Sequence, residues 1–352
     1  MTSTPDRETV SLPTGAPVRR RSRLGDRVFR GTTVAMAVGL IALLALMLWV
    51  LGSGATDAFR QFGVKFLTGR TWNPTSGRQS FGAFAFIFGT IVTSAIAIVL
   101  AVPVAVGLAL LLNEVPSGWL RNPLAVFVDL LAAIPSVVYG LWGLFIMLPI
   151  LDRHVLPFLA HTVGHVPVIG ALFRLPPGVG TQGAQVQGGN LLAAGVILAI
   201  MILPIVTAVT REVVAIVPRD LREAALALGA TRYEAIRMAV LPYARSGIVG
   251  ATMLGLGRAL GETIAVALLV GDSARVGASL IQPGYTIPAV IANEFREAST
   301  GVHRSALLAL AVLLVVVALL LSALSRLLVH RTRRALEGGG RTMNAAPAVE
   351  AA

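Results

Sequence analysis

The chain has 352 residues, 55% hydrophobic and 13% charged, with mean hydropathy +0.79 and a net charge of +12 from 29 basic and 17 acidic residues. Long apolar blocks with so few charges exclude an ordinary soluble domain and place the chain among polytopic membrane proteins. With no cysteine, disulfides, iron–sulfur clusters and cysteine-ligated zinc are excluded. The sole lysine, Lys65, lies outside any G-x-x-x-x-G-K-[ST] phosphate loop, so ATP, if used, is bound by another subunit.

Residues 1–30 are polar and arginine-rich, with Arg19-Arg-Arg-Ser-Arg23 at their centre, and read as a disordered basic cytoplasmic tail. Gly31 to Thr56 is an uncharged run long enough to span about 30 Å of hydrocarbon. A signal peptide is the rival reading, but the tail before the run is long and no clean A-x-A site follows, so an uncleaved helix is expected. Residues 57–80 carry the turn signals Trp72-Asn-Pro74. Gln79 to Asn113 is a second span containing Pro103, and Leu130 to Leu151 a third with Pro135 inside. Residues 152–189 are a Gly/Pro/Gln-rich loop, and Asn190 to Thr210 is a fourth span with Pro204 inside. Residues 246–270 make the fifth, 271–304 a loop, and Ser305 to Ser325 the sixth; residues 331–352 are a flexible cytoplasmic tail.

The expected fold is therefore all-α: a polytopic membrane protein with six transmembrane helices in residues 31–330 and both termini cytoplasmic. That orientation puts most of the arginine inside, as the positive-inside bias requires. The basic excess then needs no nucleic acid, and membrane lipid is the surface it meets. No internal repeat stands out.

Between the fourth and fifth spans lies a charged island, residues 219–242. Asp220-Leu-Arg-Glu223 has capping-box spacing, Gly229 suits a left-handed helix stop, and Thr231-Arg-Tyr-Glu234 repeats the capping pattern. Leu241-Pro242 is expected to end the second helix. Two short capped helices around a glycine form a rigid knob; a surface-lying amphipathic helix is the plain alternative, and the alanine-rich first helix fits it poorly. The segment resembles the EAA loop of ABC importer permeases. That resemblance implies an ATPase-docking role for Glu223, Ala224, Ala225 and Gly229, with Leu241 and Pro242 closing the loop.

The second informative run is Gly255-Leu-Gly-Arg-Ala-Leu-Gly-Glu262. Arg258 and Glu262 are four apart, so on a helix they share a face, and in lipid they are expected to pair. Gly257 and Gly261 are also four apart, a small-xxx-small face for close helix packing. With Leu130-Leu-Ala-Ala-Ile-Pro-Ser-Val-Val-Tyr-Gly-Leu-Trp-Gly-Leu144, this run resembles the PstC family of phosphate-importer permeases. An arginine fork matches phosphate oxygens, and Glu262 would hold Arg258 when no anion is present; the structural alternative is an ion pair that fixes helix register. Pro135 is a hinge or a plain kink, and Ser136 and Tyr139 could offer hydroxyls to an anion. His154, His161 and His165 sit in a Gly/Pro-rich loop with no zincin pattern, so no metal is expected.

The resemblance implies a PstA-like permease partner, a PstB-like ATPase dimer that binds ATP and Mg, and a PstS-like external phosphate-binding protein. The chain itself would be a transport subunit without catalytic residues or cofactor. A permease for another oxyanion (sulfate or molybdate) shares the same island. An ion-coupled secondary transporter would show inverted repeats, and a membrane enzyme would need a catalytic constellation within its spans.

Overall fold

Helix α1 (Arg23–Gly54) begins inside the stretch read as a tail, with Asp26 in its first turn where an acid suits the helix dipole. The computed structural model describes residues 23–75, 77–114, 118–162, 164, 166, 170–173, 189–298 and 300–341. The chain divides into two units, Met1–Val50 and Leu51–Ala352. The first is mostly α1, whose apolar run Gly25–Gly54 is long enough to cross a membrane.

The second unit opens with a folded cap where the sequence predicts a loop. Helices α2 (Thr56–Phe62) and α3 (Lys65–Thr68) are followed by β1 (Trp72–Asn73) and β2 (Ser80–Phe81), paired antiparallel with Trp72 opposite Phe81. Phe66 is fully buried, and the Phe66 carbonyl accepts from Ala83 N at 2.6 Å, which ties the cap to the start of α4 (Phe84–Glu114). After α5 (Gly118–Ala133) the chain breaks at Ile134-Pro135. It resumes as one long helical run: α6 (Ser136–Trp142), a π turn Gly143–Met147, α7 (Leu148–Ile150), a second π turn Leu151–Val155 and α8 (Leu156–Thr162).

The third span is thus Ser136–Leu159 rather than Leu130 to Leu151. Pro135 is not mid-span but the N-cap residue of α6, with φ −60° and ψ 142°. A residue before proline is pushed out of the helical region, so Ile134 ends α5 and the span starts afterwards. The charged run Asp152-Arg153-His154 does not stop it.

Helix α9 (Leu191–Ala215) is capped by Asn190, whose side chain accepts from Ala193 N at 2.8 Å. The island folds as α10 (Arg219–Ala227), α11 (Arg232–Ala235) and a π turn Ile236–Val240 that runs directly into α12 (Leu241–Gly261). Then come α13 (Ile264–Ala267), α14 (Ile287–Glu294), capped by Thr286, and α15 (Gly301–Arg341). Among the described residues, five helices are long and apolar enough to cross a membrane. Helix α12, the fifth expected span, is not among them; its 21 residues would reach about 30 Å, but Arg245 and Arg258 interrupt its apolar run.

The centre of the bundle is the α4–α9 pair, the most extensive helix contact in the chain. Ala85, Gly89, Thr93, Ala97, Ala101, Ala105 and Ala109 recur every four residues along α4, and all are buried. A four-residue step drifts by about 40° on an α-helix, so the small positions wind round α4: Gly89 faces the Tyr285 carbonyl and Ala105 faces Val206 of α9, each allowing a close approach. Ile96 meets Gly195, Ala105 clusters with Val206, and Asn113 reaches Arg211, so α4 and α9 run parallel. Helix α12 runs antiparallel to α9, with Gly247 against Val213 and Gly255 against Ile202 and Val206. The bundle therefore has an elbow end, where α4 and α9 finish and residues 219–240 lie, and a far end holding the 55–84 cap and residues 271–300.

Gly89 sits where an added Cβ would run into the Tyr285 carbonyl, whereas the space around Gly257 is open. Gly89→Ala is expected to destabilise the bundle by about 1–3 kcal/mol, the cost of an extra methyl in a packed core. The measurement is the melting temperature in detergent, which should fall for Gly89→Ala and stay unchanged for Gly257→Ala.

Candidate functional site

Helix α10 has no buried residue. Its start differs from the expected capping box. Pro218 holds the N-cap position without a side-chain hydrogen bond, and Asp220 lies inside the first turn, where it favours the dipole but caps nothing. Its end matches expectation. Gly229 has φ +87°, the left-handed region that glycine enters at little cost. Ala230 N donates to the Ala225 carbonyl at 3.1 Å and Gly229 N to the Leu226 carbonyl at 3.0 Å, a Schellman closure.

The second cap also forms. Glu234 Oε2 accepts from Thr231 N at 2.7 Å and from Thr231 Oγ1 at 2.8 Å, while Glu234 N donates back to Thr231 Oγ1. The backbone hydrogen bond from Thr231, seconded by its hydroxyl, holds the Glu234 carboxyl below the usual range. Leu241-Pro242 does not end this helix. The π turn widens the backbone just before Pro242, whose missing N–H is then tolerated, and the helix continues into α12.

Glu223, Ala224 and Gly229 are exposed and Ala225 is half-buried. Around them Leu228 is 90% exposed and Tyr233 70%. Large apolar side chains beside small ones, on a rigid and well-capped elbow, form a surface suited to a protein partner.

The expected Arg258–Glu262 pair is absent. Helix α12 stops at Gly261, and Glu262 takes an extended conformation with φ −70° and ψ 128°, so the two residues do not share a helix face. Arg258 is exposed and, among the described residues, belongs to no ion pair. Glu262 is buried and lines a small gap with Thr90, Thr93 and Thr286. Gly257 and Gly261 also do not serve close packing within this chain; no atom lies within 4 Å of a Cβ built on either. Gly255 does that work instead, with Val206 Cγ2 2.7 Å from its hypothetical Cβ.

Around Pro135, the Tyr139 ring is buried, and its hydroxyl donates to the Leu131 carbonyl at 2.8 Å, bridging the α5–α6 break. That proton is therefore engaged within the chain rather than offered to an anion. Ser136 is half-buried at the start of α6. Gly140, next to Tyr139, packs against Ala265, so the start of α6 lies beside α13.

Two polar constellations escaped the sequence reading. At the far end, Trp72 Nε1 donates to Glu294 Oε2 at 2.8 Å, His303 Nε2 sits 3.0 Å from the same oxygen, and Phe81 stacks on the His303 ring. Beside them a cavity of about 810 Å³ is lined by Arg70, Arg275, Asp272 and Tyr285 among others. Burial, then the nearby Glu294 charge, raises the Asp272 carboxyl, and burial raises the Tyr285 phenol well above its ordinary range. At the elbow end, Arg222 meets Glu114. Single charged residues more than a hundred positions apart leave no periodic trace to find them by. Of the loop histidines, His165 lies outside the described residues; among the described residues no group of metal-binding side chains gathers.

Residues 101–334 match the family described as binding-protein-dependent transport system inner membrane component. The chain is 44% identical over 339 residues to the phosphate transport system permease protein PstC of Xylella fastidiosa (strain 9a5c), covering 95% of this chain and 99% of that one. It is 43% identical to the PstC of Mesorhizobium japonicum, covering 89% and 92%. In fold it is similar to a chain of a bacterial ABC transporter involved in the import of the acidic polysaccharide alginate, with TM-score 0.56 at 20% identity, covering 89% of this chain and 99% of that one. With that match over most of its length, the chain belongs to the binding-protein-dependent transport system inner membrane component family, as a multi-pass protein of the bacterial inner membrane.

Proposed function

We propose that the chain is the permease subunit of an ATP-binding-cassette importer that moves inorganic phosphate inward. The observation that carries this reading is the 44% identity to a PstC permease across nearly the whole of both chains. That relative's name favours phosphate over sulfate or molybdate. In this reading six helices span the membrane (α1, α4, the α6–α8 run, α9, α12 and α15), both termini are cytoplasmic, and the elbow faces the cytoplasm.

A separate PstB-like ATPase dimer binds ATP and Mg and seats on Glu223, Ala224, Ala225, Gly229 and the exposed Leu228. A PstA-like permease covers the face of α12 that carries Gly257, Arg258 and Gly261. A PstS-like binding protein lands at the far end and releases phosphate into the path between the two permeases. The chain has no catalytic residues of its own.

The mechanism follows from the continuity of α11, the π turn and α12. A push on the elbow turns α12, and α12 carries Arg258. With Glu262 held back among Thr90, Thr93 and Thr286, the Arg258 guanidinium is free to fork onto phosphate oxygens. Movement of the α12 end toward Glu262 gives the arginine a competing partner and loosens the anion.

Gly229→Glu tests docking. The Cβ position faces open space, so the chain's own core stays intact, while φ +87° strains a glutamate there and a bulky charge lands on the docking surface. Phosphate uptake in a strain lacking the chromosomal copy is expected to vanish at unchanged membrane levels, and the ATPase should no longer copurify; retention of both rejects docking at the elbow.

Arg258→Gln tests the pathway. Loss of a charge-assisted hydrogen bond is expected to cut uptake by about 10- to 100-fold with the complex still assembled. Wild-type flux through an intact complex removes Arg258 from the transport path.

A further inference from the structure

Beneath the exposed face of the elbow, Val240 of the π turn packs into an apolar cluster with Val214, Val217 and Leu110, whereas α10 reaches the bundle through one side chain. Arg222 Nη2 lies 2.9 Å from Glu114 Oε1 and donates to the Val214 carbonyl at 3.1 Å. The two side chains retain only 23% and 21% exposure. The Arg222–Glu114 contact is a charge contact rather than an aligned hydrogen bond, since Glu114 Oε1 and Arg222 Nε are buried without hydrogen-bond partners. Glu114 is the last residue of α4, and Val214 lies in the last turn of α9. Next to it, Asn113 Nδ2 donates to the Arg211 carbonyl at 2.9 Å and to the Ala109 carbonyl at 3.1 Å. Three helix ends thus converge on two neighbouring side chains of α4 and one arginine of α10.

Helix α10 packs mainly against α11 and the following π turn, and none of its residues is buried. Apolar packing therefore gives it little grip on α4, and the arginine supplies the grip instead. A charge contact at the rim of the bundle has a property that apolar packing lacks. It is strong at contact, falls off with distance, and can be broken and remade without exposing a core. Helix α4 in turn carries Thr90 and Thr93, which line the gap beside Glu262. A displacement of α10 that is carried by Arg222 reaches the buried acid along α4, separately from the direct route through α12.

We propose that the Glu114–Arg222 ion pair is a positioning latch that carries nucleotide-driven movement of the elbow into α4, keeping ATP hydrolysis coupled to phosphate movement. The proposal rests on the docking reading above and adds a second route of transmission to it. Glu114 and Arg222 are positioning residues: they act through α4 and touch neither phosphate nor nucleotide.

The test uses the complete importer in proteoliposomes, with ATP hydrolysis and phosphate uptake measured on the same preparation. In Glu114→Gln the phosphate moved per ATP is expected to fall by about tenfold, the size of coupling typical within one ion-pair network. The ATPase stays bound and hydrolysis continues. The exchanged pair Glu114→Arg with Arg222→Glu restores the ratio at least in part. A residue that merely stabilised the fold would lower both rates together and leave the ratio alone. Should Glu114→Gln fail to reach the membrane, Glu114→Asp keeps the charge but withdraws it by one methylene, and the same fall in ratio is expected. An unchanged ratio in an intact complex overturns the latch. So does loss of the ATPase from Glu114→Gln, because the pair would then shape the docking face rather than transmit from it. The docking reading fails separately, if Gly229→Glu complexes keep both ATPase and uptake.

Discussion

The close approach of α4 and α9 is the constraint on which the other features depend. In a membrane, lipid tails are as apolar as leucine, so helices gain little from hiding apolar surface and must associate through van der Waals fit. Small buried residues from Ala85 to Ala109 supply that fit along α4, against α9 at Ala105 and against the Tyr285 backbone at Gly89. Every rung is alanine, glycine or threonine, so these positions add little side-chain entropy cost; longer side chains such as Ile96, against Gly195, fill in between them. Threonine fits because its hydroxyl returns to its own helix: Thr93 Oγ1 donates to the Gly89 carbonyl at 2.9 Å.

A stiff pair of parallel helices makes the two ends of the bundle behave differently. At the far end, the Trp72–Glu294–His303 contacts and the edge-on rings of Trp72 with Phe81 and Phe86 knit the cap into one block. At the elbow end the joints are of another kind. The helix between α11 and α12 passes through a π turn, where the regular hydrogen-bond ladder shifts by one residue, and such turns often mark functional sites.

The membrane class, the order of the spans and the elbow were legible in the sequence because each leaves a local signature: an uncharged run, or a glycine between two capping patterns. The Gly229 stop and the Thr231–Glu234 box formed where the residues placed them. The Asp220 cap did not, because Pro218 had already started the helix with a fixed φ suited to a helix entry. The third span slipped toward the C-terminus because proline separates α5 from α6, while the charges at Asp152 and Arg153 continue a helix that hydropathy alone would have stopped. The small-residue logic holds for α12 at Gly255, which packs on Val206, whereas Gly257 and Gly261 face open space within this chain. Gly257 and Gly261 form a short motif that stands out by eye, whereas the small-residue ladder of α4 runs from Ala85 to Ala109 and looks like ordinary apolar sequence. Contacts such as Glu114 with Arg222 join single residues from distant segments, and one sequence carries no record of which distant charges meet.

Arg258 shows why this chain cannot be read as a finished unit. An arginine within a membrane helix is costly unless it meets protein, water or an opposite charge. Helix α12 ends before Glu262 can share a face with it, and the glycines on either side leave its surroundings open. If the helix continued through Glu262, the pair would close within the chain and the cost would be met locally. Because it stops at Gly261, the charge remains exposed on a surface lined by Gly257 and Gly261. The acid, meanwhile, sits one step away among hydroxyls on α4 and at Thr286. The helix end at Gly261 thus separates the two charges, with the arginine at the surface and the acid in the interior.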